Sequence, residues 1–129
     1  MCIRDRPFTT LEGIAEKHSG EEPFNVGDKL LNKIFEKDYG TYYFEPIDSV
    51  PVNFISTLDI TNGNSGSATI NSDFDLVGLA FDGMLETIIA DYKYISQARS
   101  ISVDSRYLLW TLEKVEGADN ILKELTIVN

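Results

Sequence analysis

The stretch Thr61-Asn62-Gly63-Asn64-Ser65-Gly66-Ser67 stands between two apolar runs, Val52-Asn53-Phe54-Ile55-Ser56 and Ala68-Thr69-Ile70. Each run has the β-branched and aromatic content of a strand, so the seven residues form a connection between strands. Two glycines and two asparagines flank one serine, a composition that bends a chain tightly. A plain hairpin loop is built this way for conformational reasons alone. The same turn can also lift the Ser65 hydroxyl clear of the backbone and aim bare amide N–H groups at whatever that hydroxyl attacks. The rest of the chain decides between the two.

Downstream, Ser67–Asn71 continues as a second strand, Ser72-Asp73 forms a hairpin turn, and Asp75-Leu-Val-Gly-Leu-Ala-Phe81 forms a long third strand. That strand is apolar nearly throughout, which predicts cover on both faces. Gly78 in its middle predicts a bulge or a close backbone approach. Asp82-Gly83 ends the strand, and the stretch from Met84 to Arg99 reads as either loop or helix. A short strand, Ser100–Val103, precedes a helix from about Asp104 to Val115 with Tyr107, Leu108, Trp110, Leu112 and Val115 on its apolar side. Gly117 breaks this helix, and Ala118–Leu125 forms a last helical segment.

Upstream, Pro7–Lys17 reads as an extended lead followed by a short helical turn, with Thr9 or Thr10 as the cap and Gly13 as a weakness. A second helix runs from Gly27 to Lys37. Leu30, Leu31, Ile34 and Phe35 share its inner face, and Gly40 fits a left-handed end. The domain plan is a mostly helical lead-in over 7–45, antiparallel strands carrying the serine turn over 46–103, and terminal helices over 104–129. Met1–Arg6, which includes the single Cys2, shows no periodicity and reads as a non-native leader, excluded from the fold reasoning. The fold class is mainly β with terminal helices.

Twenty-one acidic residues against eleven basic ones give a net charge of -10, which makes nucleic acid an unfavourable partner through long-range repulsion. No apolar run approaches the roughly twenty residues needed to span a bilayer, so no membrane segment is expected. His18 is the only histidine. It lies in a polar break before the strands and reads as a surface residue. Met84, Trp110 and Tyr107 read most simply as core.

Five blocks occur in order along the chain: Pro7-Phe-Thr-Thr-Leu-Glu-Gly13, Phe54-Ile-Ser-Thr-Leu-Asp-Ile-Thr61, Gly63-Asn-Ser-Gly-Ser67, Leu76-Val-Gly-Leu-Ala-Phe-Asp-Gly83 and Arg99-Ser-Ile-Ser-Val-Asp-Ser-Arg-Tyr107. Taken together they resemble the C-terminal portion of bacterial serine dipeptidyl-peptidases of the dipeptidyl-peptidase 7 and 11 type, serine peptidase family 46. The resemblance implies the second-barrel part of a chymotrypsin-like double β-barrel and an enzyme that removes dipeptides from free peptide N-termini. It assigns Ser65 as nucleophile, Gly63 and Ser65 as oxyanion-hole amides, and Asp82 as the anchor of the substrate's α-amino group. It places Gly83 at the base of the pocket for the second substrate residue, where glycine goes with apolar side chains and arginine with acidic ones.

Under this resemblance the partners are peptides with a free N-terminus and the missing N-terminal half of the same enzyme, with a homodimer expected of the full-length protein. The base histidine and its aspartate belong to the first barrel, so the isolated chain is expected to be nearly inactive. No cofactor or metal is called for, and the location implied is periplasmic or cell-surface. An exopeptidase that counts two residues needs a buried carboxylate to bind the terminal ammonium, because only a charged, oriented partner compensates for desolvating that cation, and Asp82 at the end of an apolar strand suits that role. Neutral Asn64 cannot pair with an ammonium newly released from a proenzyme. Ala68 and Asn62 depart from the family, which usually has proline and glycine there, and residues 84–98 depart most. A chymotrypsin-like endopeptidase and an inactive acidic binding module of the same fold remain as alternatives.

Overall fold

The computed structural model describes residues 7–89, 92–93 and 95–128. The leader expected at 1–6 lies outside the described residues. Five strands, β1 (Phe8–Thr10), β2 (Pro51–Ser56), β3 (Ala68–Ile70), β4 (Leu76–Gly83) and β5 (Ser100–Asp104), form one antiparallel sheet in the order β1-β2-β5-β4-β3. The last strand in sequence is therefore the middle of the sheet. Its Ser100, Ile101, Ser102 and Asp104 are all buried. The serines are tolerated there because each has a partner: Ser100 Oγ lies 2.6 Å from Ser56 Oγ, and Ser102 Oγ lies 3.0 Å from Thr69 Oγ1.

The extended lead becomes the edge strand β1, with Phe8 opposite Phe54 of β2. Thr10 ends it and caps α1 (Leu11–Lys17), its Oγ1 accepting the Gly13 N–H at 3.2 Å. In α2 (Asp28–Glu36) the buried stripe is Leu31 and Ile34, with Leu30 partly covered. Phe35, expected on the same face, is 69% exposed, because it lies about 100° round the helix from Ile34. Gly40 takes the expected left-handed φ (54°), but α2 itself ends three residues earlier at Lys37 (φ 53°), whose N–H reaches Ile34 O. Gly40 then opens a single 3-10 turn, Gly40–Tyr42, that puts Tyr42 in the core.

The expected helix from Asp104 is α3 (Ser105–Trp110) followed by a π-helical stretch, Thr111–Glu116. Asp104 caps α3 with Oδ1 on the Arg106 N–H and holds the Arg106 guanidinium through both carboxylate oxygens, at 2.9 and 2.8 Å. Gly117 (φ 62°) closes the segment as expected, with Ala118 N–H on Leu112 O, and α4 is short, Asp119–Leu122. Trp110 is fully buried and donates its indole N–H to Asp38 O at 2.9 Å. Around it gather Leu11, Ile34, Tyr42, Val50, Val52 and Val115, one core tying the helices to β2.

Cover on both faces of β4 is not found. Gly78 and Ala80 are buried, while Leu76 and Phe81 are 51% and 46% exposed. The core forms at the β2 side of the sheet, and no described residue of this chain covers those two side chains further. The close approach expected at Gly78 is present: a Cβ there would fall 2.5 Å from Val103 O and 2.7 Å from Phe54 Cε1.

Candidate active site

The serine turn is held by three local hydrogen bonds and pinned to β4 by two more. Asn64 N–H donates to Thr61 O, Asn64 Oδ1 accepts from Thr61 N–H at 2.7 Å, and Ser67 N–H donates to Asn64 O. Asn64 is thus the residue that closes the loop on itself, an asparagine-type turn. Gly63 and Gly66 take φ of 91° and 88°, values that an L side chain would strain. Gly66 N–H then donates to Ala80 O at 2.7 Å, and Ala80 N–H donates to Ser67 O at 2.9 Å. This two-way pairing fixes the turn beside the C-terminal end of β4.

That end of β4 is irregular. Against β5, Ala80 stands opposite Ser102 and Asp82 opposite Ile101, so Phe81 is an extra residue in the ladder. Strand alternation would carry Asp82 onto the buried side shared by Gly78 and Ala80; the bulge breaks that alternation, so the carboxylate expected to be buried is exposed. The exposed Ser65 hydroxyl donates to the carbonyl of the bulged Phe81 at 3.3 Å. Among the described residues, the amides of Gly63 and Ser65 donate to no acceptor in the chain, so both remain available to an incoming oxyanion.

Ser65, Gly63, Asp82 and Gly83, the four residues singled out from the sequence, line one cavity of about 460 Å³. Asp82 is the single charged residue among its described lining. Its Oδ1 accepts the Gly83 N–H at 2.7 Å, which orients the carboxylate at the cavity wall. A carboxylate so placed suits an ammonium, and a hydroxyl with two free amides beside it suits attack on a carbonyl. Met84, expected in the core, instead lines this cavity next to Gly83, since β4 ends there and the chain turns into a 3-10 stretch, Leu85–Ile89. That stretch adds Leu85, Thr87 and Ile88 to the wall, and Ile60 closes the other side. Leu85, Thr87 and Ile88 thus belong to the stretch 84–98 that departs most from the family pattern.

His18 does not line this cavity. Its Nδ1 accepts the Val26 N–H at 3.0 Å and its own N–H closes α1, a structural role at a half-buried position. A second cavity, about 510 Å³, lies against β1 and α1 and contains no residue of the serine turn. Glu12 lies in its wall; burial pushes its carboxyl up, but hydroxyl donors Ser49, at 2.5 Å, and Tyr39 more than offset this and hold it below the usual range.

Comparison with known proteins places this geometry in a family. The profile of the family described as Peptidase S46 matches residues 2–127. The Asp/Glu-specific dipeptidyl-peptidase of Shewanella putrefaciens is 41% identical over 98% of the chain, and the dipeptidyl-peptidase 7 of Phocaeicola vulgatus is 40% identical over 94%. The chain spans 20% and 17% of their lengths. The crystal structure of Porphyromonas endodontalis DPP11 in complex with the dipeptide Arg-Asp superposes with a TM-score of 0.87 at 37% identity, covering 92% of this chain and 17% of that one. The antiparallel sheet with its helices therefore matches part of a DPP11 structure and is compatible with part of a double barrel. On the family profile and on relatives at this identity, the chain belongs to the peptidase S46 family.

Proposed function

We propose that this chain is the C-terminal portion of the catalytic domain of a serine-type dipeptidyl-peptidase and supplies its nucleophile. The observation that carries the reading is the convergence of Ser65, two free amides and Asp82 on one cavity. Ser65 Oγ attacks the scissile carbonyl while its proton passes to a histidine carried by the remainder of the enzyme. The amides of Gly63 and Ser65 hold the oxyanion. The C–N bond breaks as the histidine returns the proton to the leaving amine, and water then hydrolyses the dipeptidyl ester on Ser65.

Asp82 pairs with the substrate's α-ammonium, which fixes the cut two residues from the N-terminus. Gly83 leaves an uncharged pocket, so the second substrate residue is apolar. Overall identity does not separate this from acidic specificity, because relatives bearing both names lie near 40%. The reading extends to a periplasmic or cell-surface enzyme.

Labelling of the full-length protein with a phosphonofluoridate tests the nucleophile. Label on Ser65, abolished in Ser65→Ala, is expected; an unlabelled Ser65 in a folded protein favours an inactive binding module. The chain alone, lacking the base, should release dipeptides at least about a thousandfold more slowly.

A further inference from the structure

Gly83 adds no side chain, yet the space beside it is occupied. A Cβ on Gly83 would fall 3.1 Å from both Cβ and Cγ2 of Thr87 and would overlap its Oγ1. Neither partner is free to move. Gly83 is paired with Ser100 of the central strand, and Met84 N–H donates to Arg99 O at 2.9 Å. Thr87 donates both its backbone N–H, at 2.8 Å, and its hydroxyl, at 2.6 Å, to Met84 O. Its branched Cβ leaves few alternative rotamers. With its proton committed to Met84, the hydroxyl donates nothing into the cavity, and Thr87 presents a small uncharged surface there.

We infer that Thr87 is a specificity-determining residue coupled to Gly83. It fills the volume that a side chain at 83 would enter, and the pair together sets the depth of the pocket for the second substrate residue. This rests on the dipeptidyl-peptidase reading above. It differs from a pocket set by Gly83 alone, because a residue larger than glycine at 83 is then excluded by Thr87 rather than admitted to reshape the pocket. A change at 83 alone damages the site, and a change at both re-tunes it.

The test uses the full-length protein and dipeptidyl substrates differing only in the second residue, Ala, Leu, Phe, Asp or Glu. Thr87→Ala should raise kcat/KM for Phe relative to Ala by about tenfold, the usual scale for one or two heavy atoms in an apolar pocket. Gly83→Ala should lower kcat/KM for every substrate and lower Tm. Adding Thr87→Gly to Gly83→Ala should recover most of both losses, a non-additivity that independent sites do not show. An unchanged substrate profile in Thr87→Ala, or Gly83→Ala losses that Thr87→Gly leaves standing, overturns the coupling. Absence of Ser65-dependent dipeptide release from the unmodified protein would instead sink the underlying peptidase reading, and the specificity role with it.

Discussion

Replacing Gly78 by alanine tests how the sheet is assembled. The added methyl would lie 2.5 Å from Val103 O and 2.7 Å from Phe54 Cε1. The first is backbone of the central strand, held in register by Leu79 opposite Val103 and Gly78 opposite Asp104; the second is a ring on β2. Neither can retreat without opening a ladder or repacking Phe54. Gly78 does not take a left-handed φ, so the conformation itself is open to alanine. Loss of unfolded-state freedom would favour the variant by about 0.4–1 kcal/mol. Overpacking opposes this with about 1–3 kcal/mol, and a clash with fixed backbone belongs at the upper end. The net expectation is a destabilisation of about 2–2.6 kcal/mol, or a Tm lower by roughly 6–16 °C. Urea and thermal unfolding of the chain measure it. Gly13→Ala is the internal control: it lies within α1, where the nearest atom to a new Cβ is 3.6 Å away, so the same substitution should stabilise by about 0.5–1 kcal/mol. A Gly78→Ala variant as stable as the parent, with an unchanged urea slope, would refute the packing of β4 against β5 described above.

Removing the Asp104 carboxylate by Asp104→Ala takes away the α3 cap and both guanidinium contacts of Arg106 at once, and should cost about 2–3 kcal/mol in chemical denaturation, with Asp104→Asn losing less because it still caps. Glu12 has a folded pKa below its unfolded one, so its contribution is present above the ordinary glutamate value near 4.3 and disappears as pH falls through the lower folded value. Stability measured between about pH 6 and 3 should therefore fall less steeply in Glu12→Gln than in the parent, and an equal or steeper fall would contradict the assigned hydrogen bonds.

Much of this architecture was legible because its signals are local. Alternating apolar runs around Gly and Asn mark β2, β3 and the serine turn, and Thr10 and Gly117 act at the helix ends where their chemistry suits them. Gly78 announced a close approach that only a residue without Cβ permits. What escaped the sequence depends on partners distant in the chain. The bulge at Phe81 arises from the register of β4 against β5, and apolar composition gave no sign that it would turn Asp82 outward. Lys37 rather than Gly40 ends α2, and a left-handed lysine leaves no mark in the sequence because side-chain-bearing residues seldom adopt that conformation. Phe35 satisfied the helical pattern but fell outside the stripe that α2 buries. Thr87 had no mark at all: threonine four residues beyond a glycine becomes informative only when Met84 O is seen to capture its hydroxyl and hold it over Gly83.

The central claim is that Ser65 and Asp82 act together, one as nucleophile and the other as the reader of a free N-terminus. The most direct measurement is dipeptide release by the full-length protein from matched peptides with free and acetylated N-termini, alongside Ser65→Ala. Release from the free peptides alone, reduced at least about a thousandfold by Ser65→Ala, is the predicted result; cleavage indifferent to acetylation, or undiminished without the Ser65 hydroxyl, would contradict it.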